Sequence, residues 1–116
     1  MLKGTKIALK KSIRKWEKIV ARKGPDLGGR NCALCERFHD NCTRTRADNS
    51  ILETCPVTIA AKDAGCTDTP YDPWSDYFSK LGSLEPAVVY DDTSRDLAKA
   101  ELAFLKSLLP EAPAND

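Results

Sequence analysis

Histidine is nearly missing from this chain: His39 is the single imidazole among 116 residues. That scarcity leaves no HExxH pair, no HNH-type nuclease pair and no workable Ser-His-Asp set. A zinc deaminase needs His or Cys, one residue and then Glu ahead of Pro-Cys-x-x-Cys, and that order does not occur. Long apolar runs are missing too. No stretch approaches the roughly 20 residues that span a bilayer, and residues 1–23 lack the apolar core of a secretory signal. Gly28 and Gly29 belong to neither a GxGxxG fingerprint nor a loop ending in Gly-Lys-Ser/Thr, which excludes those phosphate-binding motifs. Large apolar bodies are few, with three Phe, three Tyr and two Trp. A chain this size buries about 65% of its unfolded surface, so the expected core is modest. The length fits one domain over residues 1–116.

Charge is present in quantity and unevenly placed. Residues 1–23 hold nine Lys/Arg and one Glu, a net of +8, and the remainder holds nine Lys/Arg against sixteen Asp/Glu, a net of −7. A basic segment joined to an acidic body suggests either a polyanion contact or self-docking of the two halves.

Residues 5–23 read as an amphipathic helix. Leu9, Ile13, Trp16 and Val20 recur at spacings of four, three and four, Thr5 is a candidate cap, and Gly24 with Pro25 is a stop. Lys10, Lys11, Arg14, Lys15, Lys18 and Arg22 fall opposite that stripe. The plain reading is a core helix with a solvated basic face; the sharper one is a nucleic-acid or anionic-surface contact, a cluster able to neutralise several phosphates. Against that sharper reading, basic clusters that bind RNA or single strands usually interleave aromatics, and this face has none. A polar excursion is expected between Cys42 and Cys55, with a helical turn near residues 49–54. A short helix is expected over 56–64, and another from Pro73 capped by Asp72, with Trp74, Tyr77, Phe78 and Leu81 inward. The last helix is expected over 93–109, capped by Thr93, with Leu97, Ala100, Phe104, Leu105, Leu108 and Leu109 as its apolar face. Asp91, Asp92 and Asp96 are acidic contact candidates.

All five cysteines lie within residues 32–66. Cys32 and Cys35 are separated by two residues, a spacing that lets a tight turn aim both sulfurs at one tetrahedral ion. Without a secretory signal the chain is expected in the cytoplasm, where thiols stay reduced; an odd count likewise disfavours a disulfide framework. The expected metal set is Cys32, Cys35, Cys55 and Cys66, with Cys42 as the alternative ligand, around a structural Zn2+. An iron–sulfur cluster is the second metal reading, though the intervals are not the compact C-x2-C-x2-C run. His39 reads as a solvated bystander, and thiols packing as small hydrophobes are the plain alternative. A cysteine-rich set of this kind is a closed structural site, so no catalytic residue is expected and the chain is not expected to be an enzyme.

Asn31 and the Cys32, Ala33, Leu34, Cys35 run, then Cys55, Pro56 and Val57, then Cys66 followed by Thr69, Pro70, Tyr71 and Trp74, form a composite pattern behind a basic Trp-bearing helix. It resembles small cysteine-rich proteins of bacteriophages and prophages of unknown function, over about residues 10–78. Their typical pattern is CxLC, then CxxCPV, then a glycine-led Cys and TPY. Here twelve residues separate Cys42 from Cys55 where that pattern has two. The resemblance implies a phage protein that docks to a host or viral macromolecule, in an anti-defence or regulatory role. Such a partner is expected to be a protein first and a nucleic acid second, with no membrane contact. The fold expected is mainly α, or small α+β: two longer helices around a zinc-stapled, loop-rich cysteine centre at 32–66.

Overall fold

A computed structural model gives the fold and describes residues 2–27, 32–38, 43–61, 69–81 and 87–110. The architecture is mainly helical. In chain order it comprises α1 (Lys3–Val20), α2 (Ala33–Arg37), β1 (Thr43–Thr45), β2 (Ile51–Thr54), α3 (Pro56–Ala61), α4 (Tyr71–Lys80) and α5 (Asp92–Ser107). The two longer helices pack on each other, α2 lies against α1, and α4 lies against α5.

The first helix begins earlier and ends earlier than its caps suggest. Leu2 occupies the N-cap position without a side-chain bond, and Thr5 is inside the helix and fully buried. Thr5 caps nothing; its hydroxyl donates to Glu53 of β2 and accepts from Arg37 Nε at 2.8 Å. The helix stops at Val20, ahead of the glycine, because Arg22 adopts a left-handed φ of 62°. The turn is closed by Lys23 N donating to the Lys18 carbonyl at 2.8 Å. Leu9, Ile13 and Trp16 are buried as expected from their spacing, joined by Ala8, Ser12 and Ile19, while Val20 is half-buried.

An aromatic seam forms the centre of the core. Trp16 meets Trp74 edge-on at 5.2 Å between centroids, and Trp74 leans on Phe78 at 4.7 Å. Such pairs add about 0.5–1.5 kcal/mol beyond the area they bury. The fourth helix starts at Tyr71, and Asp72 lies in its first turn instead of capping it. Thr69 supports that start, its Oγ1 accepting from Tyr71 N and its carbonyl from Asp72 N. Leu81, expected inside, is 54% exposed.

The polar stretch before Cys55 is an antiparallel hairpin, not a helical turn. Thr43 pairs with Thr54 and Arg44 with Glu53, with an irregularity before Thr45. Asn49 at φ 68° and Asp48, whose Oδ1 accepts from Ser50 N, make the reversal. Asn and Asp suit this role, since their short polar side chains satisfy turn amides and tolerate the left-handed region. Helix α3 ends at Ala61, and residues 62–68 lie outside the described ones.

The last helix is capped by Asp91, not Thr93: Asp91 Oδ1 accepts from Ser94 N at 2.8 Å, and Ser94 Oγ accepts from Asp91 N. Its buried row is Ser94, Ala98, Glu101 and Leu105. Leu97, Phe104, Leu108 and Leu109 are half-buried and Ala100 is exposed. Ala98, with no accessible surface, has the small side chain a close helix–helix approach requires.

Candidate functional site

Asp26 is the residue the sequence did not flag. It lies in the loop after α1, buried, and pairs through its backbone with Ala87. Its Oδ1 takes an ion pair from Lys15 Nζ at 2.8 Å. Its Oδ2 accepts from Trp74 Nε1 and from Tyr71 Oη, each at 2.9 Å. Tyr71 and Trp74 stand three residues apart on α4, which brings both donors to one face. A buried carboxylate needs such compensation, since an unpaired one is costly in a low-dielectric interior. The Thr-Pro-Tyr-x-x-Trp run therefore has a structural use: it clamps the loop that leads to the cysteines.

Cys32 is half-buried at the start of α2, with Sγ 4.0 Å from Ser12 Oγ. The Cys35 thiol, hydrogen-bonded to it, is the main influence that lowers Cys32 to about 6; the Cys35 and Leu34 amides and Lys15 add to this, against the effect of burial. A thiolate at neutral pH beside a second sulfur within hydrogen-bond reach fits two positions of a tetrahedral soft-ligand set. Cys35 is exposed, so that half-set opens toward the surface. Cys55 is buried directly before α3. Among the described residues, Cys55 included, no three His, Cys, Asp or Glu side chains gather at metal-holding distance. Cys42, Cys66 and His39 lie outside the described residues.

Glu101 approaches the same region from α5. It is 4% exposed, and its Oε2 has no hydrogen-bond partner. Burial foremost, then the charges of Asp26 and Cys32, push its carboxyl up to about 7, with Lys15 opposing. The sequence placed Glu101 on a helix but offered no sign that it faces inward.

Five of the six predicted basic residues stay on the solvent side of α1: Lys10, Lys11, Arg14, Lys18 and Arg22 are exposed. Lys15 is the exception, turned in to Asp26 with its ammonium 5.5 Å from the Trp16 ring centroid. The acidic half does lie beside α1, yet the two long helices meet through their buried faces. Among the described residues, the ion pair from α1 goes to the loop at Asp26. The Tyr77 hydroxyl foremost, then Ser94, hold the Asp91 carboxyl below its usual range, and the charge of Arg22 adds to this least of all. Asp91, a contact candidate from the sequence, is occupied as a cap and as acceptor from Tyr77 Oη at 2.6 Å.

Among the described residues no helix is long and apolar enough to cross a membrane. No family model, no curated protein and no solved structure matches this chain.

Proposed function

We propose that this chain is a small zinc-stapled docking protein of the phage type, which holds an anionic macromolecule in the host cytoplasm and does not turn over a substrate. The observation that carries the docking reading is the solvent side of α1, where Lys10, Lys11, Arg14 and Lys18 meet no carboxylate among the described residues. Such a face raises encounter rates with anionic partners and favours binding at low ionic strength.

The staple reading rests on the low-pKa Cys32 sulfur and its neighbour Cys35. Cys66 with Cys55, or Cys42 in place of one of them, would complete four thiolates. A closed zinc site of this kind supplies cross-linking and no open coordination position. Metal binding coupled to folding is worth roughly 10–16 kcal/mol in small zinc peptides, ample for a chain with so modest a core.

Elemental analysis of the purified protein should give one zinc per chain. Cys32→Ser should lose that metal and the order of the cysteine-bearing middle, and serine replacements at Cys42, Cys55 and Cys66 should identify the remaining ligands. A folded, monodisperse Cys32→Ser protein would overturn the staple. For docking, the zinc-loaded chain should be retained on immobilised heparin at low salt and released by charge reversal at Lys10, Arg14 and Lys18. Failure to be retained would remove the anionic-partner reading.

A further inference from the structure

We infer that the C-terminal half of α1 and the turn after it form a phosphate-binding cleft for the backbone of duplex nucleic acid. This rests on the docking reading above and names its partner. Lys11, Arg14, Lys15 and Lys18 stand at spacings of three, one and three on α1 and line one wall. The left-handed Arg22 reverses the chain, and the bond from Lys23 N to the Lys18 carbonyl carries Lys23 round to the other side. The result is a concave space of about 440 Å3 lined, among the described residues, by five cations and no carboxylate.

Within that cleft one cation is held and four extend. Lys15 is fixed by Asp26 at 2.8 Å, so its charge is already answered. Lys11, Arg14, Lys18 and Lys23 are exposed and make no ion pair with a described residue. From Lys11 to Lys18 a helix advances about 10 Å, over which a duplex carries several phosphate charges, one per roughly 1.7 Å of its axis with both strands counted. The four extended cations therefore face a dense row of anionic charge from one side, with the guanidinium of Arg14 able to grip one phosphate through two donors.

Single strands fit less well. Proteins that hold them combine cations with exposed aromatic rings on which bases stack, and the α1 surface presents none: its Trp16 is 4% exposed and packed against Trp74. Lys10, Lys11, Arg14 and Lys18 are suited to phosphates, so binding should be independent of base sequence. An apolar groove between Leu2, Pro56, Ile59 and Leu108 is another concave surface, but nothing in the structure shows what covers it.

Fluorescence anisotropy with the full zinc-loaded chain and a short labelled duplex of mixed sequence tests this. Four phosphates neutralised predict a slope of log affinity against log salt near −3.6 for duplex, and about 100-fold weaker binding at 200 than at 50 mM salt. The double variant Arg14→Glu with Lys18→Glu should lose duplex binding by 100-fold or more while keeping its zinc and its helical circular dichroism. Lys6→Glu, on α1 but outside the cleft, should change binding less than tenfold. Retention on heparin without duplex binding would overturn this inference and leave docking to an acidic protein. Equal or tighter binding of the matching single strand would overturn it as well. Loss of both heparin and duplex binding would remove the docking reading together with it.

Discussion

The long-helix frame and the cysteine-bearing middle are built on different terms. In the frame, α1, α4 and α5 meet through Leu9, Ile13, Trp16, Trp74, Phe78, Ala98 and Leu105, all buried. In the middle, α2, the hairpin and α3 contribute Leu34, Cys55 and Val57, with Phe38 just after α2. The middle is tied to α1 by these few apolar side chains and by a polar cluster. Arg37 and Glu53 converge on Thr5, with guanidinium and carboxylate 3.6 Å apart, and Arg44 adds a longer pairing at 3.9 Å. A hydrogen-bonded link of this kind is directional and contributes only about 1 kcal/mol per bond. Apolar burial scales with area and makes the frame the more stable part. A metal cross-link therefore has most to add in the middle, which is where the cysteines are.

Breaking the frame should have the largest effect. Trp74→Ala removes the ring shared by Trp16 and Phe78 and one of the donors to Asp26. Large-to-small changes of this type cost about 3–5 kcal/mol, so urea denaturation should show most of the fold's stability gone. A loss below about 1 kcal/mol would mean the seam does not hold the frame.

The second test uses pH. Glu101 has a folded-state carboxyl pKa raised from 4.5 to about 7, so the fold favours its protonated form. Its protonated state supports the fold fully below 4.5, and that support is lost as pH rises through about 7. Glu101→Gln should therefore stabilise the protein by on the order of 2–3 kcal/mol at pH 8 and change little at pH 4, read by thermal melts at both. Equal effects at the two pH values would show that ionisation of Glu101 is not what burdens the helix interface.

The smallest effect sharpens the contrast from the other side. Thr5→Val keeps the buried shape but takes away the hydroxyl between Arg37 and Glu53. The expected global cost is about 1–2 kcal/mol, because Arg37 and Glu53 can still pair with each other. Hydrogen exchange should quicken in α2 and the hairpin while the amides of α1 and α5 stay protected. Uniform quickening would erase the distinction between the two regions.

Much of the frame was legible from periodicity. Leu9, Ile13 and Trp16 announced the buried side of α1, and the basic residues announced the other, because a 3.6-residue repeat sorts side chains whatever they later touch. Trp74 and Phe78 were legible for the same reason. The α5 face was legible in part: Leu105 is buried and Leu97, Phe104, Leu108 and Leu109 pack half-buried against the core. Ala100 is exposed, however, and close approach to α1 selects Ala98 and carries Glu101 inward. Thr93 and Asp91 both suit a cap, and the structure uses the one whose second oxygen Tyr77 also reaches. The hairpin was missed because Thr43–Thr45 and Ile51–Thr54 carry no clean alternation of apolar and polar residues. Their pairing is anchored by Glu53, whose partners lie 48 residues away at Thr5 and on α2 at Arg37.

By itself the sequence determined a mainly helical chain, the position of the long helices, the basic side of the first and the sulfur pair at Cys32 and Cys35. These follow from spacing and composition, which act locally. Only the tertiary structure decided that Asp26 is the buried acceptor of Lys15, Tyr71 and Trp74, that Lys15 leaves the basic surface to meet it, and that Lys23 folds back to make that surface concave. Such decisions depend on which distant groups a compact fold can satisfy at once, and no short stretch of chain carries that information.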